Sequence, residues 1–287
     1  MHLFRKEVDL KNYCTLQIGG PAHYFCEVHT VCEMEEALKA CREKKIPVMV
    51  IGKGSNCLFD DRGFNGAVIL NKINFCRQTA PGTFYAGAGY SFSHLGIQAS
   101  RLGFGGLEFA SGIPASVGGA IFMNAGANLS ETSTHLKSVE YISVSGELIL
   151  ASREDLSFSY RYSSFHQNHG VIVAATFSLP QSQNARQKQI DIVNKRKMTQ
   201  PYGFKSAGCI FLNPECEAAG SIIDRCGLKG LSVGGAEVSC KHANFLINKD
   251  QATCADMLQL IELVKMKVKV QTGIELHAEV RQIPYKE

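Results

Sequence analysis

Apolar residues along this chain change their spacing several times, and each change marks an expected element. Met34, Ala37, Leu38 and Cys41 recur at helical spacing, and Thr30-Val31-Cys32-Glu33 just ahead of them has the spacing of a capping box, so a short helix is expected. Beyond Pro47, Val48–Ile51 is an unbroken apolar run that reads as a strand ending in a glycine turn at Gly52 and Gly54. The pattern predicts a strand–helix–strand unit that delivers a glycine loop to the end of a strand. Short apolar runs at 67–70 and 83–86 read as strands, the latter followed by Gly87 and Gly89, and 95–102 reads as a helix. Residues 139–144 and 147–151 flank Ser145-Gly146 like the arms of a hairpin, and 171–179 is a further strand. Past Pro180 the apolar pattern fades. Residues 181–200 carry Lys188, Lys195, Arg196 and Lys197 and read as a solvated helix and domain link. A short helix over 220–226 ends at Gly227, and 244–248 is a strand. A longer helix begins at Thr253 and Asp256, lines one face with Leu258, Ile261, Val264 and Val268, and stops at Gly273. The last segment, 274–283, alternates: Ile274, Leu276, Ala278 and Val280 face one way, and Glu275, His277, Glu279 and Arg281 the other.

Composition narrows the picture. The chain has 287 residues, enough for a well-buried core in two domains or one large one. Its 20% charged and 45% apolar content is ordinary for a globular protein, which argues against disorder. The net charge of +4 is spread along the chain, which suits an anionic small molecule better than a nucleic acid. The first residues, MHLFRKEVDLKNY, lack the apolar segment of a signal peptide, and no apolar run is long enough to span a membrane, so a cytoplasmic location without membrane insertion is expected. Eleven cysteines occur with no C-x-x-C pair, so neither a metal site nor a disulfide framework is expected, and most read as buried small hydrophobes.

Two stretches invite chemistry. GLEFASGIPASVGGAIFMNAGA, residues 106–127, and IGKGSNCL, residues 51–58, are rich in glycine and poor in charge. Such runs suit either tight helix–sheet packing or a polyphosphate held by backbone N–H groups. No G-x-G-x-x-G follows a strand, and Walker A, H-E-x-x-H and G-x-S-x-G patterns are absent. Arg161 lies among aromatics and hydroxyls in LSFSYRYSSF, where it either stacks on a ring or presents a two-point fork to a carboxylate. Cys209 follows a glycine in PYGFKSAGCIFLNP and by itself reads as an inert core thiol. The polar face of 274–283 is either a surface ladder or a wall beside a ligand.

Taken in order, GKGSN (52–56), the 106–127 stretch, YRYSSF (160–165), SAGCIFLNP (206–214), GLKGLSVGGAEVSCKHANFLIN (227–248) and GIELHAEVR (273–281) resemble the UDP-N-acetylenolpyruvoylglucosamine reductase family, over nearly the whole chain. These are flavoenzymes that complete UDP-N-acetylmuramic acid for bacterial peptidoglycan. The resemblance implies an α+β architecture: an FAD-binding fold of the vanillyl-alcohol oxidase type, with two α+β subdomains, plus a C-terminal α/β substrate-binding domain. The implied boundaries are 1–64 for the first FAD-binding subdomain, with 277–287 returning to it, 65–195 for the second, and 196–276 for the substrate domain. Noncovalent FAD would be contacted by Ile51, Gly52, Lys53, Gly54, Ser55, Asn56, Gly87, Gly112, Ile113, Pro114, Ser116, Val117, Gly118, Gly119, Asn124, Gly126 and Ile172. UDP-N-acetylglucosamine enolpyruvate would meet Tyr160, Asn213, Lys229, His242 and Arg281, and NADPH would supply hydride.

In the chemistry that the resemblance implies, reduced FAD passes hydride to the terminal vinyl carbon, Arg161 and Glu279 stabilise the resulting enolate, and Cys209 protonates it. Much of the family has serine at that last position. A thiol is the stronger acid and is still protonated at neutral pH, so the exchange is chemically competent. Leu212 stands where a lysine is common before Asn-Pro, and the short stretch between Arg161 and Cys209 leaves no room for the tyrosine-bearing insertion of one subclass. The competing expectations are another FAD oxidoreductase of the same fold and a noncatalytic UDP-sugar-binding relative.

Overall fold

The computed structural model describes residues 1–287. The chain divides into two compact units, one of 1–5, 25–53 and 67–196, the other of 6–24, 54–66 and 197–287.

In the first unit, helix α1 (Val31–Glu43) starts where the capping pattern puts it. Thr30 Oγ1 accepts the Glu33 N–H at 3.1 Å, while the Glu33 carboxylate accepts the His29 N–H at 2.6 Å. Its buried face is Met34, Ala37 and Cys41. Val48–Ile51 pairs in parallel with Phe64–Asn71, in the register Val48↔Ala67 to Ile51↔Leu70. An antiparallel sheet follows in the order Leu148–Ser152, Leu136–Ile142, Val171–Ser178, Thr83–Gly87, Cys76–Ala80. Helix α2 (Phe92–Arg101), capped by Ser91, and the one-turn helix α3 (Val117–Phe122), capped by Ser116, belong with the same core, where Phe84, Phe92, Phe109 and Phe177 are buried. Residues 165–168 form a short helix α4 (Phe165–Asn168), and α5 (Ala185–Thr199) buries only Ala185 and Gln189, as its polar run predicts.

The second unit carries an antiparallel sheet in the order Lys205–Cys209, Phe245–Asn248, Ala236–Val238, Ser232–Val233, with helices α6 (Ala219–Arg225) and α7 (Cys254–Thr272). The expected start of α7 is present as a full capping box between Thr253 and Asp256, and Gly273 ends it in the left-handed region at φ 74°. Its buried face is Cys254, Met257, Leu260, Ile261, Val264 and Val268, with Leu258 only half-buried beside it.

Asp61 adds a cap that no local pattern encodes. Its carboxylate accepts the N–H groups of Cys254 at 2.7 Å and Ala255 at 3.1 Å. With the capping box these bonds satisfy four N–H groups at the start of α7 and place an anion at the positive end of its dipole. Asp61→Ala is therefore expected to lower stability by about 1–2 kcal/mol, read as a drop in the denaturant midpoint.

The alternation at 274–283 is real in burial but not in secondary structure. Leu276 and Val280 are buried while Glu275, His277 and Arg281 are exposed, yet regular strand covers only Arg281–Ile283, which pairs in parallel with Cys57–Phe59. Ahead of it the chain is extended but irregular: it exchanges single bonds with 210–212 and then shifts to a different partner.

Candidate active site

In the first unit the glycine turn at Gly52 lies against the 106–127 stretch. A side chain at Gly52 would lie 2.0 Å from Ser116 Oγ, so only glycine lets this loop close on the cap of α3. Lys53 Nζ donates to Ser91 Oγ, the α2 cap, at 2.8 Å. Partial burial of that ammonium lowers its pKa from the usual lysine range. The N–H groups of Lys53, Gly54, Ser55 and Asn56 donate to no backbone carbonyl, which leaves a run of donors beside the Lys53 ammonium. This loop fits a diphosphate.

At α3 the picture departs from the expectation of a continuous amide cradle. Val117 N–H donates to the Tyr90 carbonyl and Gly118 N–H to that of Ala88, each at 2.9 Å, while Gly119 N–H goes to Ser116 Oγ at 3.2 Å. Gly118 serves packing, since a Cβ there would sit 2.9 Å from Ala88 Cβ. Val117 and Ser116 are buried, as are Ile51 and Ile172, while Pro114 is exposed and Ile113 half-buried. Gly112 leaves space for the stem of Arg196, whose Cδ would be 2.2 Å from a side chain there. Gly87 likewise meets the Ile73 carbonyl.

Arg161 occupies a tight turn between Phe158–Ser159 and Tyr162–Ser163, which pair as Phe158↔Ser163 and Ser159↔Tyr162. Its φ of 58° is a conformation that turn chemistry normally reserves for glycine or asparagine. A bulky residue held there costs roughly 1–2 kcal/mol, and such strain gathers where a side chain must be aimed. The guanidinium lies 4.8 Å from the Tyr160 ring centroid, and Nη2 donates to the Gly126 carbonyl at 3.0 Å. Ser163 Oγ anchors the hairpin to the Phe122 carbonyl at 2.6 Å, and His166 packs between the Phe122 and Tyr162 rings.

Asn124, expected at the cofactor, is completely buried at 0% exposure with φ 42°. Its amide donates to Glu131 Oε2 at 2.5 Å and to the Ser159 carbonyl at 2.9 Å, and its oxygen accepts the Ser133 N–H at 3.1 Å. The side chain is thus used within the protein.

The second unit gathers a different set. The Lys205–Cys209 strand bulges against its neighbour: Ser206 lies opposite Ile247, and pairing resumes at Cys209 opposite Phe245. Gly208, at φ 81° with open space around it, takes up the kink. Cys209 is half-buried. The residues after it are clamped by Asn244, whose side chain accepts the Phe211 N–H and donates to the Phe211 carbonyl, both at 2.9 Å. Glu279 joins this strip through its N–H, which donates to the Ile210 carbonyl at 2.7 Å. Asn56 grips the same segment, donating to the Glu279 carbonyl at 3.1 Å and accepting the Arg281 N–H at 3.1 Å. His242 packs edge-on to Phe245 at 4.7 Å. The backbone therefore brings Cys209, Glu279, Arg281, Asn56 and His242 into one neighbourhood. Asn213 and Lys229 flank α6 instead: Asn213 Oδ1 accepts the Ala219 N–H at 3.0 Å, and Lys229 pairs with Asp224 at 2.6 Å.

Comparison with known proteins identifies what such a pair of units belongs to. Residues 22–152 match the sequence profile of an FAD binding domain, and 200–283 match that of the UDP-N-acetylenolpyruvoylglucosamine reductase C-terminal domain. The reductase of Protochlamydia amoebophila is 54% identical over 96% of this chain and 92% of its own length. The chain belongs to the UDP-N-acetylenolpyruvoylglucosamine reductase family. The Chlamydia pneumoniae member is 48% identical over 98% of this chain and 92% of its own. A crystal structure of the Thermus caldophilus reductase superposes with a TM-score of 0.84 at 35% identity, covering 98% of this chain and all of the other. The α+β fold, with its FAD-binding and reductase-type C-terminal domains, is the one that the motifs imply. No helix is long and apolar enough to cross a membrane.

Reading the reductase motifs as ligand contacts alone overlooked the residues that hold them in place: Asn244 behind Cys209, Glu131 and Ser159 around Asn124, and Ser91 beneath Lys53. Asn244 is a buried amide, whereas Glu131, Ser159 and Ser91 are not buried, and none of the four belongs to a local pattern that marks its role.

Proposed function

We propose that this chain reduces UDP-N-acetylglucosamine enolpyruvate to UDP-N-acetylmuramate with NADPH as the electron source. What carries the reading is relatedness at 54% identity over 96% of this chain and 92% of a reductase's own length. FAD, when bound, relays hydride between the two substrates. The residues present fit it: the loop from Gly52 to Asn56 offers N–H groups that bond no backbone carbonyl and a lysine cation, and it closes over Ser116 where a Cβ has no room.

The remaining work falls to this chain's own side chains. Hydride addition at the terminal vinyl carbon leaves negative charge on its neighbour, which spreads into the carboxylate. Arg161 meets that charge with a planar fork, a contribution worth about 3–4 kcal/mol for preorganised donors of this kind. Glu279 shares this role and Cys209 delivers the proton. Their common strip supports the pairing: the Glu279 N–H is bonded to the residue next to Cys209. Tyr160, Asn213, Lys229, His242 and Arg281 address the nucleotide sugar.

The deciding measurement is NADPH consumption by the flavin-loaded protein with and without UDP-N-acetylglucosamine enolpyruvate. Sugar-dependent consumption that yields the lactyl ether supports the reading. Consumption indifferent to the sugar points to another FAD oxidoreductase, and a protein without flavin absorbance points to a binding module. Glu279→Gln is expected to keep FAD and flavin reduction while slowing reoxidation by the sugar about 10²-fold. Loss of FAD or of folding in that variant would instead make the polar face of 275–281 a scaffold.

A further inference from the structure

We propose that Asn124 is the positioning residue for Arg161. The proposal rests on the reductase reading for its kinetic consequence but not for its geometry. Arg161 is framed from two sides. Its turn begins at Ser159, and its guanidinium donates to the carbonyl of Gly126. Asn124 reaches both sides at once. One amide donor goes to the Ser159 carbonyl, fixing the base of the turn. Another bond goes to the carboxylate of Glu131, the residue paired with Gly126 in the two-stranded ribbon Gly126–Ala127 and Ser130–Glu131. Gly126 is itself pressed on that ribbon, since a side chain there would lie 2.6 Å from the Ser130 carbonyl and 3.3 Å from Glu131 Cγ. A single buried side chain therefore ties the start of the Arg161 turn to the strand that supplies its acceptor.

Three observations mark this as more than ordinary core bonding. Asn124 has no exposed surface, and its amide and carbonyl all engage protein groups, so its hydrogen-bonding capacity is committed to this frame. Its φ of 42° suits asparagine or glycine and few other residues. Arg161 is also held in a left-handed conformation, which persists only when its surroundings over-determine it. The bonds from Asn124 to Ser159 and from Ser163 to Phe122 tie the hairpin to the end of α3, and Asn124 also reaches the ribbon beneath Gly126.

Asn124→Gly tests this, because glycine tolerates the same φ and removes only the amide. With FAD bound, flavin reduction by NADPH should stay within about twofold of wild type, while reoxidation by UDP-N-acetylglucosamine enolpyruvate should slow by about 10²-fold, the usual effect of ~1 Å misplacement. In an Arg161→Lys background the same change should add less than about threefold, since two residues acting through one interaction are not additive. Hydrogen exchange at 159–163 should accelerate in Asn124→Gly. Should that variant fail to fold, Glu131→Ala removes the second arm at a half-buried position and should show the same pattern. Equal slowing of both half-reactions, additivity with Arg161→Lys, or unchanged exchange at 159–163 would overturn the proposal. If the wild-type flavin is not reoxidised by the sugar, the reductase reading falls, and the exchange measurement alone decides the positioning role.

Discussion

Arg161→Lys is expected to bind FAD and accept hydride from NADPH at near wild-type rates, yet to reoxidise with the enolpyruvyl sugar about 10²–10³-fold more slowly. The substitution keeps a positive charge and a long side chain. It removes the planar fork, so an enolate carboxylate loses two-point contact, and it removes the stacked guanidinium held 4.8 Å from the Tyr160 ring centroid. The bond from Nη2 to the Gly126 carbonyl is lost in its present geometry as well. Lysine at φ 58° is no better placed than arginine, so the strain of the turn remains while the benefit disappears. Stopped-flow spectra of the two half-reactions read this directly. Wild-type rates in both would make Arg161 a brace for the hairpin and nothing more.

The second large effect belongs to Cys209. Cys209→Ala should leave flavin reduction intact and slow reoxidation by about 10²–10⁴-fold, the usual worth of a positioned general acid. Cys209→Ser should retain substantial activity, since a hydroxyl occupies the same aimed position after the bulge at Gly208. A structural thiol would behave in the opposite way, tolerating alanine with a small stability loss and no selective effect on reoxidation. Alkylation offers a second test, because the other cysteines sort by environment. Burial pushes the thiols of Cys26 and Cys254 up to about 12 and those of Cys57 and Cys76 up to about 11. At neutral pH these four are expected to resist the reagent, while exposed Cys32, Cys216 and Cys240 react without consequence for turnover. Inactivation that tracks Cys209 alone, slowed by the UDP-sugar and abolished in Cys209→Ser, would set it apart. Full activity in Cys209→Ala would transfer the proton to another group.

Local signals in the sequence suffice where one element carries its own evidence. The helix at Val31–Glu43 announces itself through Thr30 and Glu33, and that at Cys254–Thr272 through Thr253, Asp256 and Gly273, because caps act within four residues. The strand Val48–Ile51 and its glycine turn follow from an apolar run that stops abruptly. What escaped is non-local. The turn at Tyr160-Arg161 has none of the Asn-Gly chemistry that marks a hairpin; Asn124 and the Phe122 carbonyl hold it from elsewhere. At the last segment, alternation reports which side faces the core, but strand pairing depends on partners at 57–59 and 210–212 that no window of neighbouring residues contains. Motif matching likewise named Cys209, Glu279 and Arg161 by resemblance, while Asn244 and Asn124, which fix two of their segments, carry no motif of their own.

The interleaved make-up of the second unit has a consequence for biosynthesis. Residues 6–24 and 54–66 leave the ribosome early, but the strand Cys57–Phe59 gains its pairing with Arg281–Ile283 only after residues 60–280 have been made. At translation rates of roughly 5–20 residues per second, that interval is on the order of ten to forty seconds. Throughout it, Cys57, Leu58 and Phe59, all buried in the finished protein, remain an unsatisfied apolar edge. Any nascent chain that stops short of Arg281 therefore keeps that edge without its partner strand.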